Sequence, residues 1–532
     1  MATLTIRYRI GLGFLWLGLH AAQAAGQAPD QQWLDEKMGS WYRAASHAAR
    51  GHWGIAVADQ SGTLLWSLNP DDALIPASTV KVFTTGFARS VLGGSARRPT
   101  RVVGAGSIDP ATGEWIGSWG LELNGDPSFE RGVGAGPTLY DLALQLASAG
   151  VRRLTGPLNV QSADGPADDA YPATWSRHHF GRLFAPVIGP VTLNENLVWI
   201  AVQPASKAGA RPRVVDESPS GIASLVTVKA VTSAGRRSNL RLRPRGDGGW
   251  VLVGTIGVRA RVRGLAAVVP DPKIVLNAAW AHALGKAGIT WNPAPFIGPP
   301  PSGPARVLAE VSSPTLDSLA TEINRRSLNY GAELLLQWAG GRETPASQLT
   351  RHVEEVTGRT DGLELVDGSG LSYQNRATAR TFIDYLAKFP TTPEGRNFPM
   401  LLPANGTGTL HRLASGFPGE GVVRAKTGTL AQVANVVGYL GRQDGVLLVA
   451  LLYNGPRPWA ARKAEWQLFR KLGGNGVIIP NDSVPDGLIP HFGGEEETDF
   501  VPAWRVDGND STDVQDSVPL PLPKPTDTTP PR

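Results

Sequence analysis

Three short words lie in a fixed order in this chain: Ser78-Thr79-Val80-Lys81, then Ser327-Leu328-Asn329, then Lys426-Thr427-Gly428. Their residue types suit nucleophilic catalysis. A serine hydroxyl attacks a carbonyl effectively when a neighbouring base removes its proton, and a lysine amine serves as that base if burial or a nearby cation lowers its pKa. Val80, Phe83, Phe87 and Val91 recur at helical intervals after Pro76, so a helix is expected to open at Ser78. Residues three apart share a helix face. Lys81 should therefore reach the Ser78 hydroxyl, with Lys426 as the second cation that holds its pKa down. The N-terminus of such a helix also presents unpaired N–H groups and a positive dipole end to a developing oxyanion.

The third word falls in Val422-Val423-Arg424-Ala425-Lys426-Thr427-Gly428-Thr429-Leu430, which reads as a strand with Gly428 marking a close backbone approach. Such a strand would line the site. Each word has an ordinary alternative: an N-capping serine with a solvated lysine one turn on, a stray S-x-N, an edge-strand lysine beside a turn. With each residue type at roughly 5% usage, S-x-x-K arises about once by chance in a chain of 532 residues, and K-T-G well under once. The combination carries the argument, since Lys81 is the only lysine with a serine three residues upstream and K-T-G occurs once. A second S-x-N, Ser67-Leu68-Asn69, reads as ordinary strand sequence.

Together the words resemble the acylation machinery of penicillin-binding proteins and serine β-lactamases. Flanking segments narrow the likeness: Asp367-Gly368-Ser369-Gly370-Leu371-Ser372, Leu402-Pro403-Ala404-Asn405-Gly406-Thr407-Gly408-Thr409-Leu410, Asn324 and Arg325 ahead of Ser327, and Ala332-Glu333-Leu334-Leu335 after it. These resemble the D-alanyl-D-alanine carboxypeptidases/endopeptidases called class C low-molecular-mass penicillin-binding proteins, from about residue 33 to about residue 475. The resemblance implies that Ser78 is the acylated nucleophile and Lys81 its base. It implies that Ser327 relays a proton to the leaving amine and that Asn329 positions Lys81 and the substrate backbone. Lys426 and the hydroxyls of Thr427 and Thr429 would hold the substrate's carboxylate on the strand around Gly428, and the backbone N–H groups of Ser78 and Thr429 would form the oxyanion hole. The chain departs from the family at Tyr373, where arginine often follows D-G-S-G-L-S, and at Leu328, a position often polar.

Spacing adds an independent observation. Ser78 and Ser327 are 249 residues apart, a domain-sized interval that compact β-lactamases lack, whereas Ser327 and Lys426 are 99 apart. A large insertion between S-x-x-K and S-x-N is expected, and it reads as β-rich: Leu197-Val198-Trp199-Ile200-Ala201-Val202 and Gly249-Trp250-Val251-Leu252-Val253-Gly254 are short apolar runs bounded by turn residues. It closes at Pro299-Pro300-Pro301-Ser302-Gly303-Pro304. Gly132-Val133-Gly134-Ala135-Gly136 follows no strand and opens no helix pattern, so it reads as a loop rather than a phosphate cradle. Outside the insertion, residues 53–58 and 63–68 flank a Gln60-Ser61-Gly62 turn as a hairpin, strands recur near 433–440 and 446–453, and 459–472 carries helical periodicity. The expected fold is α+β, a split DD-peptidase (β-lactamase-like) domain whose antiparallel sheet is flanked by helices, interrupted by the insertion. Its expected parts are a signal peptide at 1–24, peptidase segments at 25–98 and 302–479, the insertion at 99–301, and a tail at 480–532.

Composition fits an exported enzyme with two or more packed domains: 42% hydrophobic and 18% charged residues. Arg7 and Arg9 precede the apolar run Ile10-Gly11-Leu12-Gly13-Phe14-Leu15-Trp16-Leu17-Gly18-Leu19, and Ala22-Gln23-Ala24 offers a signal-peptidase site. The run is half the length of about twenty residues needed to span a bilayer, so no stable anchor is expected after cleavage, and the protein should be secreted to a periplasmic or other extracytoplasmic space. Absence of cysteine excludes disulfides, thiol nucleophiles and thiolate metal sites, and the nine histidines show no H-E-x-x-H, so no metal or cofactor is expected. From residue 481 onward eleven acids face three bases, a Pro-rich tail of charge −8 read as disordered, on a chain of +5 overall. No K/R-rich run suggests nucleic acid. The expected substrates are peptidoglycan stem peptides, with β-lactams acylating the same serine. A β-lactamase would need a deacylating E-x-x-x-N, which does not occur between Ser327 and Lys426. A non-catalytic wall-sensing protein would not need the full set of catalytic residues present.

Overall fold

A computed structural model describes residues 31–131, 136–295, 303–411 and 416–478. The signal peptide and tail expected at 1–24 and 480–532, residues 132–135 of the glycine loop at 132–136 and residues 299–302 of the Pro-rich stretch at 299–304 lie outside the described residues.

The chain opens with helix α1 (Gln31–Ala48), strands β1 (His52–Ala58) and β2 (Leu64–Leu68), and helix α2 (Val80–Leu92). β1 shows why a period-2 pattern is legible in a doubly covered strand. Trp53, Ile55 and Val57 pack toward one helical layer, while Ala56 and Ala58 pack toward the other. Ser78 does not open the α-helix itself. It sits in a 3-10 turn, Ala77–Thr79, and regular α-helix begins at Val80. Phe83 and Phe87 are buried as their spacing requires, but Val91 is 52% exposed, since in the last turn of α2 it is Leu92 that packs against the core.

The inserted region builds three sheets. β3 (Pro99–Ile108) and β4 (Glu114–Glu122) pair antiparallel, followed by helix α3 (Leu139–Ser148), β5 (Arg153–Thr155) and β6 (Val160–Gln161). β7 (Leu197–Gln203) is flanked by β8 (Arg213–Ser218) and later by β13 (Arg263–Val268). Between those two, β9 (Val226–Val228), β10 (Val231–Ser233), β11 (Ser238–Pro244) and β12 (Trp250–Gly257) form a further sheet around β12. Helix α4 (Pro272–Lys286) and β14 (Thr290–Asn292) follow, and β15 (Arg306–Ser312) then returns to pair with β3 from Ser312 opposite Pro99 to Arg306 opposite Gly104. The inserted unit therefore runs through Ser312 rather than ending at 301. Proline content marked a break in the chain, but the strand beyond it completes the inserted sheet's edge.

The return segment supplies α5 (Leu316–Arg326), α6 (Asn329–Gly340), α7 (Pro345–Thr357), α8 (Ala379–Lys388), β16 (Val423–Leu430), β17 (Val433–Arg442), β18 (Gly445–Asn454) and α9 (Pro458–Lys471). Its strands join those of the first segment in one antiparallel sheet, ordered β16-β17-β18-β1-β2. On one face lie α1 and α9, where the Trp41 indole N–H donates to Ala464 O at 2.7 Å. On the other lie α2 and α8, with Phe83 stacked on Phe382 at 4.5 Å between centroids. The sheet and both helical layers are as the sequence pattern implied, an α+β domain split by a β-rich insertion.

Candidate active site

The site forms where the Ala77–Thr79 turn, the α5–α6 junction, the 367–372 turn and β16 meet. Two asparagines of the sheet fix the turn. Asn435 Nδ2 donates to Ile75 O at 2.9 Å and to Pro76 O at 2.8 Å, and Asn454 Oδ1 accepts from Ile75 N at 2.9 Å. Gly428 lets β16 pass against this turn, since a Cβ there would lie 2.6 Å from Pro76 O and 3.1 Å from Ser78 N.

Lys81 is fully buried, and its Nζ has three neighbours: Ser78 Oγ at 3.0 Å, Asn329 Oδ1 at 2.7 Å and Ser369 O at 2.6 Å. Asn329 Nδ2 donates to Phe184 O at 2.8 Å, which fixes its amide with Oδ1 toward Lys81. Of the three neighbours, two are acceptors only, and Ser78 alone carries a hydrogen. When Lys81 is neutral, its lone pair has one proton to face, that of Ser78. Burial lowers the Lys81 pKa to about 7, against the pull of Asp367 and Glu333, which favour the ammonium.

Burial, one of the two expected causes, dominates at Lys81, and carboxylates in the flanking segments oppose it, while the repulsion between Lys81 and Lys426 registers at Lys426. Glu333 on α6 accepts from Ser369 N at 2.8 Å and Gly368 N at 3.2 Å, so it aims the Ser369 carbonyl at Lys81. Asp367 accepts from Gly370 N at 2.8 Å, Ser372 N at 2.7 Å and Asn375 Nδ2 at 2.8 Å. Burial raises both carboxyl pKa values, that of Glu333 to about 7. The sequence marked these residues only as flanking resemblance; their roles depend on a contact between α2, α6 and the 367–372 turn.

Lys426 is also fully buried and faces the second serine, donating to Ser327 Oγ at 3.0 Å and to Thr427 O at 2.8 Å. Burial, with Lys81 and Arg462 nearby, holds its pKa well below the usual lysine value. Ser327 is the left-handed C-cap of α5, with φ 59° and ψ 42°, a conformation that turns its side chain off the helix toward β16. Thr427 is buried, whereas Thr429 is exposed at the strand's end and its Oγ1 accepts from Arg462 Nη2 at 3.1 Å. The two lysines thus stand over two different serines, Lys81 over Ser78 and Lys426 over Ser327.

The insertion holds the residue before Ser327. Glu195 accepts from both terminal nitrogens of Arg326, Nη1 and Nη2, at 2.5 and 3.1 Å, and lies 3.3 Å from Arg131. It does so from three consecutive left-handed residues, Asn194, Glu195 and Asn196, with φ of 46°, 66° and 52°. Asparagine side chains hold that turn, Asn196 accepting from Leu193 N at 3.1 Å and donating to Val187 O at 2.9 Å. Nearby, His179 stacks on Tyr373 with centroids 5.9 Å apart and meets Phe184 edge-on, so the insertion also walls the site's mouth.

Sequence and structure comparisons agree on what this arrangement is similar to. The D-Ala-D-Ala carboxypeptidase 3 (S13) family matches residues 43–471. A D-alanyl-D-alanine carboxypeptidase of Actinomadura sp. (strain R39) is 29% identical over 438 residues, covering 77% of this chain and 80% of that protein. A carboxypeptidase of Mycobacterium tuberculosis is 28% identical over 425 residues, covering 75% of each. Among solved structures, penicillin binding protein 4 of Haemophilus influenzae shares the fold with a TM-score of 0.65 at 20% identity, covering 81% of this chain and 98% of that one. The same protein complexed with a β-lactam gives 0.62.

Proposed function

The chain belongs to the D-Ala-D-Ala carboxypeptidase 3 (S13) family, and from that premise we propose that it is a serine-type D-Ala-D-Ala carboxypeptidase/endopeptidase that cleaves peptidoglycan stem peptides through an acyl-enzyme on Ser78. The observation that carries the assignment is the Lys81 amine, whose three close neighbours include one proton donor, the Ser78 hydroxyl.

Neutral Lys81 accepts the Ser78 proton as Oγ attacks the carbonyl between the two D-alanines. The oxyanion faces the backbone N–H groups of Ser78 and Thr429, a reading supported by the contact of β16 with the Ser78 turn at Gly428. Collapse of the tetrahedral intermediate breaks the peptide bond, and the leaving amine takes, through Ser327 held by Lys426, the proton that Lys81 accepted, which returns Lys81 to its neutral form. Lys426 and Thr427 pair with the terminal carboxylate, and Thr429 closes that end of the strand. Water then attacks the acyl-enzyme and releases the shortened peptide, with no cofactor in the cycle. β-Lactams, as mimics of the dipeptide, acylate the same oxygen.

Arg7, Arg9, the apolar run after them and Ala22-Gln23-Ala24 support export and cleavage after Ala24, hence a periplasmic or other extracytoplasmic location. Mass spectrometry of the mature N-terminus checks this; retention of residues 1–24 in envelope-located protein would mean an anchor. The catalytic assignment is tested by incubating the protein with D-Ala-D-Ala-terminated stem peptides and cross-linked dimers and weighing the products. Release of D-Ala or of a partner strand, abolished in Ser78→Ala, is expected; equal release by Ser78→Ala, or loss with EDTA that zinc restores, would defeat the proposal.

A further inference from the structure

Residues 205–263 hold twelve lysines and arginines against three acids, a net charge of +9 within a chain of +5 overall. The fold gathers much of this charge at one end of the inserted sheets. Gly257 N donates to Arg237 O at 2.8 Å and Arg259 N to Gly235 O at 2.9 Å, so the β10–β11 turn carrying Arg236 and Arg237 runs beside Arg259. Along β7, Arg213 stands opposite Gln203 on one side and Arg263 opposite Val202 on the other. β11, whose Arg241 points outward while Leu240 and Leu242 face the core, packs against β13 and joins the two groups. All six arginines are exposed.

Three acids cannot neutralise twelve bases. Asp247 pairs with Arg245 at 2.6 Å, Glu217 accepts from Gly221 N at 2.7 Å and from Ala223 N, and Asp216 accepts from Glu217 N at 2.8 Å. So many like charges brought together repel one another and have no evident role in packing, since their side chains lie outside the core.

We infer that this arginine-rich end of the insertion is a docking surface for a phosphodiester-linked anionic polymer of the cell envelope, separate from the catalytic cleft. Charge complementarity is the first argument: guanidinium forks match phosphate oxygens bidentately and remain charged throughout the accessible pH range. The second argument separates a polymer from a lipid surface. Proteins that lie on bilayers add aromatic or large aliphatic side chains that enter the acyl boundary, whereas the exposed large hydrophobics in this segment are Val215 and Val231, at 47% and 40% exposure. Such a surface would hold the enzyme against the wall while the cleft samples stem peptides.

The probe is long-chain inorganic polyphosphate, a soluble polyanion whose links are phosphoanhydrides but which likewise presents about one negative charge and free phosphate oxygens per unit, titrated against the full protein at 50 and 200 mM salt. Binding should weaken by about 30- to 100-fold over that range, the response expected when three or four phosphate contacts release counterions. Arg236→Glu/Arg237→Glu/Arg259→Glu should lose at least 30-fold in affinity at 50 mM salt while its labelling by fluorescent penicillin and its turnover of a soluble peptide stay at the parent level. Those two readouts separate this inference from the catalytic one, on which it does not rest. Failure of the parent to bind at 50 mM salt, or equal binding by the triple variant, overturns the proposal. Binding to vesicles containing 30% phosphatidylglycerol with none to polyphosphate overturns it in favour of a membrane surface.

Discussion

At Lys81 the chemistry comes down to how many acceptors share one amine. Because burial lowers its pKa to about 7 and the neutral form is the base, the acylation rate should rise with pH through about 7 and level off above. Glu333 opposes that lowering and itself titrates near 7, so the limb belongs to the group of buried charges rather than to one residue. Glu333→Gln removes a negative charge that favours the ammonium, and the limb should move to lower pH; measuring second-order acylation by a chromogenic β-lactam from pH 5 to 9 checks the sign. An upward shift would contradict the electrostatics. Glu333→Asp, which keeps the charge, should leave the limb near its parent position. Lys426→Ala leaves Ser327 Oγ without its donor and the substrate carboxylate without its counter-charge, and should lower kcat/KM on a D-Ala-D-Ala peptide by on the order of 100-fold or more. A peptide with an amidated C-terminus should be poor with the parent and no worse with the variant. Burial is the dominant cause of the Lys81 shift, and the repulsion between the two lysines is reciprocal, so the pH limb should move only slightly, and upward.

At the scale of elements, two junctions carry the site. β16 approaches the Ser78 turn closely enough that a Cβ on Gly428 would lie 2.6 Å from Pro76 O. Gly428→Ala must push the turn or the strand away, and should cut acylation at least 10-fold while the melting temperature falls by only a few degrees. The other junction is the Glu195–Arg326 pair, which spans 131 residues of sequence and fixes the end of α5 just before Ser327. Breaking it in Glu195→Ala leaves a half-exposed Arg326 and should cost about 1–2 kcal/mol of stability. Its larger effect should be on kcat rather than KM for peptide hydrolysis, with partial rescue in Glu195→Asp; a variant with parent kcat and a lowered melting temperature would make the pair purely structural. The strand around Lys426 was legible because apolar residues bounded it and a glycine interrupted it. Glu195 was not, because a single acid in a left-handed turn has no periodicity, and its partner is identified only by the fold. Glu333 was visible as part of a flanking segment, but its grip on Gly368 and Ser369 was not.

At the scale of the whole molecule, the sequence separated sheet from insertion because period-2 apolar runs and a domain-sized gap between motifs are both one-dimensional signals. It misplaced the insertion's end because β15 finds its partner, β3, about 200 residues upstream, a long-range pairing that a proline-rich break conceals. The final described contacts of the chain bear on truncation: Ile478 N donates to Gly421 O at 3.0 Å, and Ile478 packs against the core. Removal of residues 481–532, whose composition buries little apolar surface, should leave peptidase rates within about twofold of the parent, while a cut before Ile478 should destabilise the protein. A large loss on removing residues 481–532 alone would show that the acidic tail docks on the body. The central claim, that one serine beside a buried neutral lysine forms the acyl-enzyme, is tested most directly by peptide-level mass spectrometry after brief exposure to benzylpenicillin. A single penicilloyl adduct on Ser78, absent in Lys81→Ala over the same interval, is the predicted result. An adduct on any other residue, or undiminished labelling without Lys81, would contradict it.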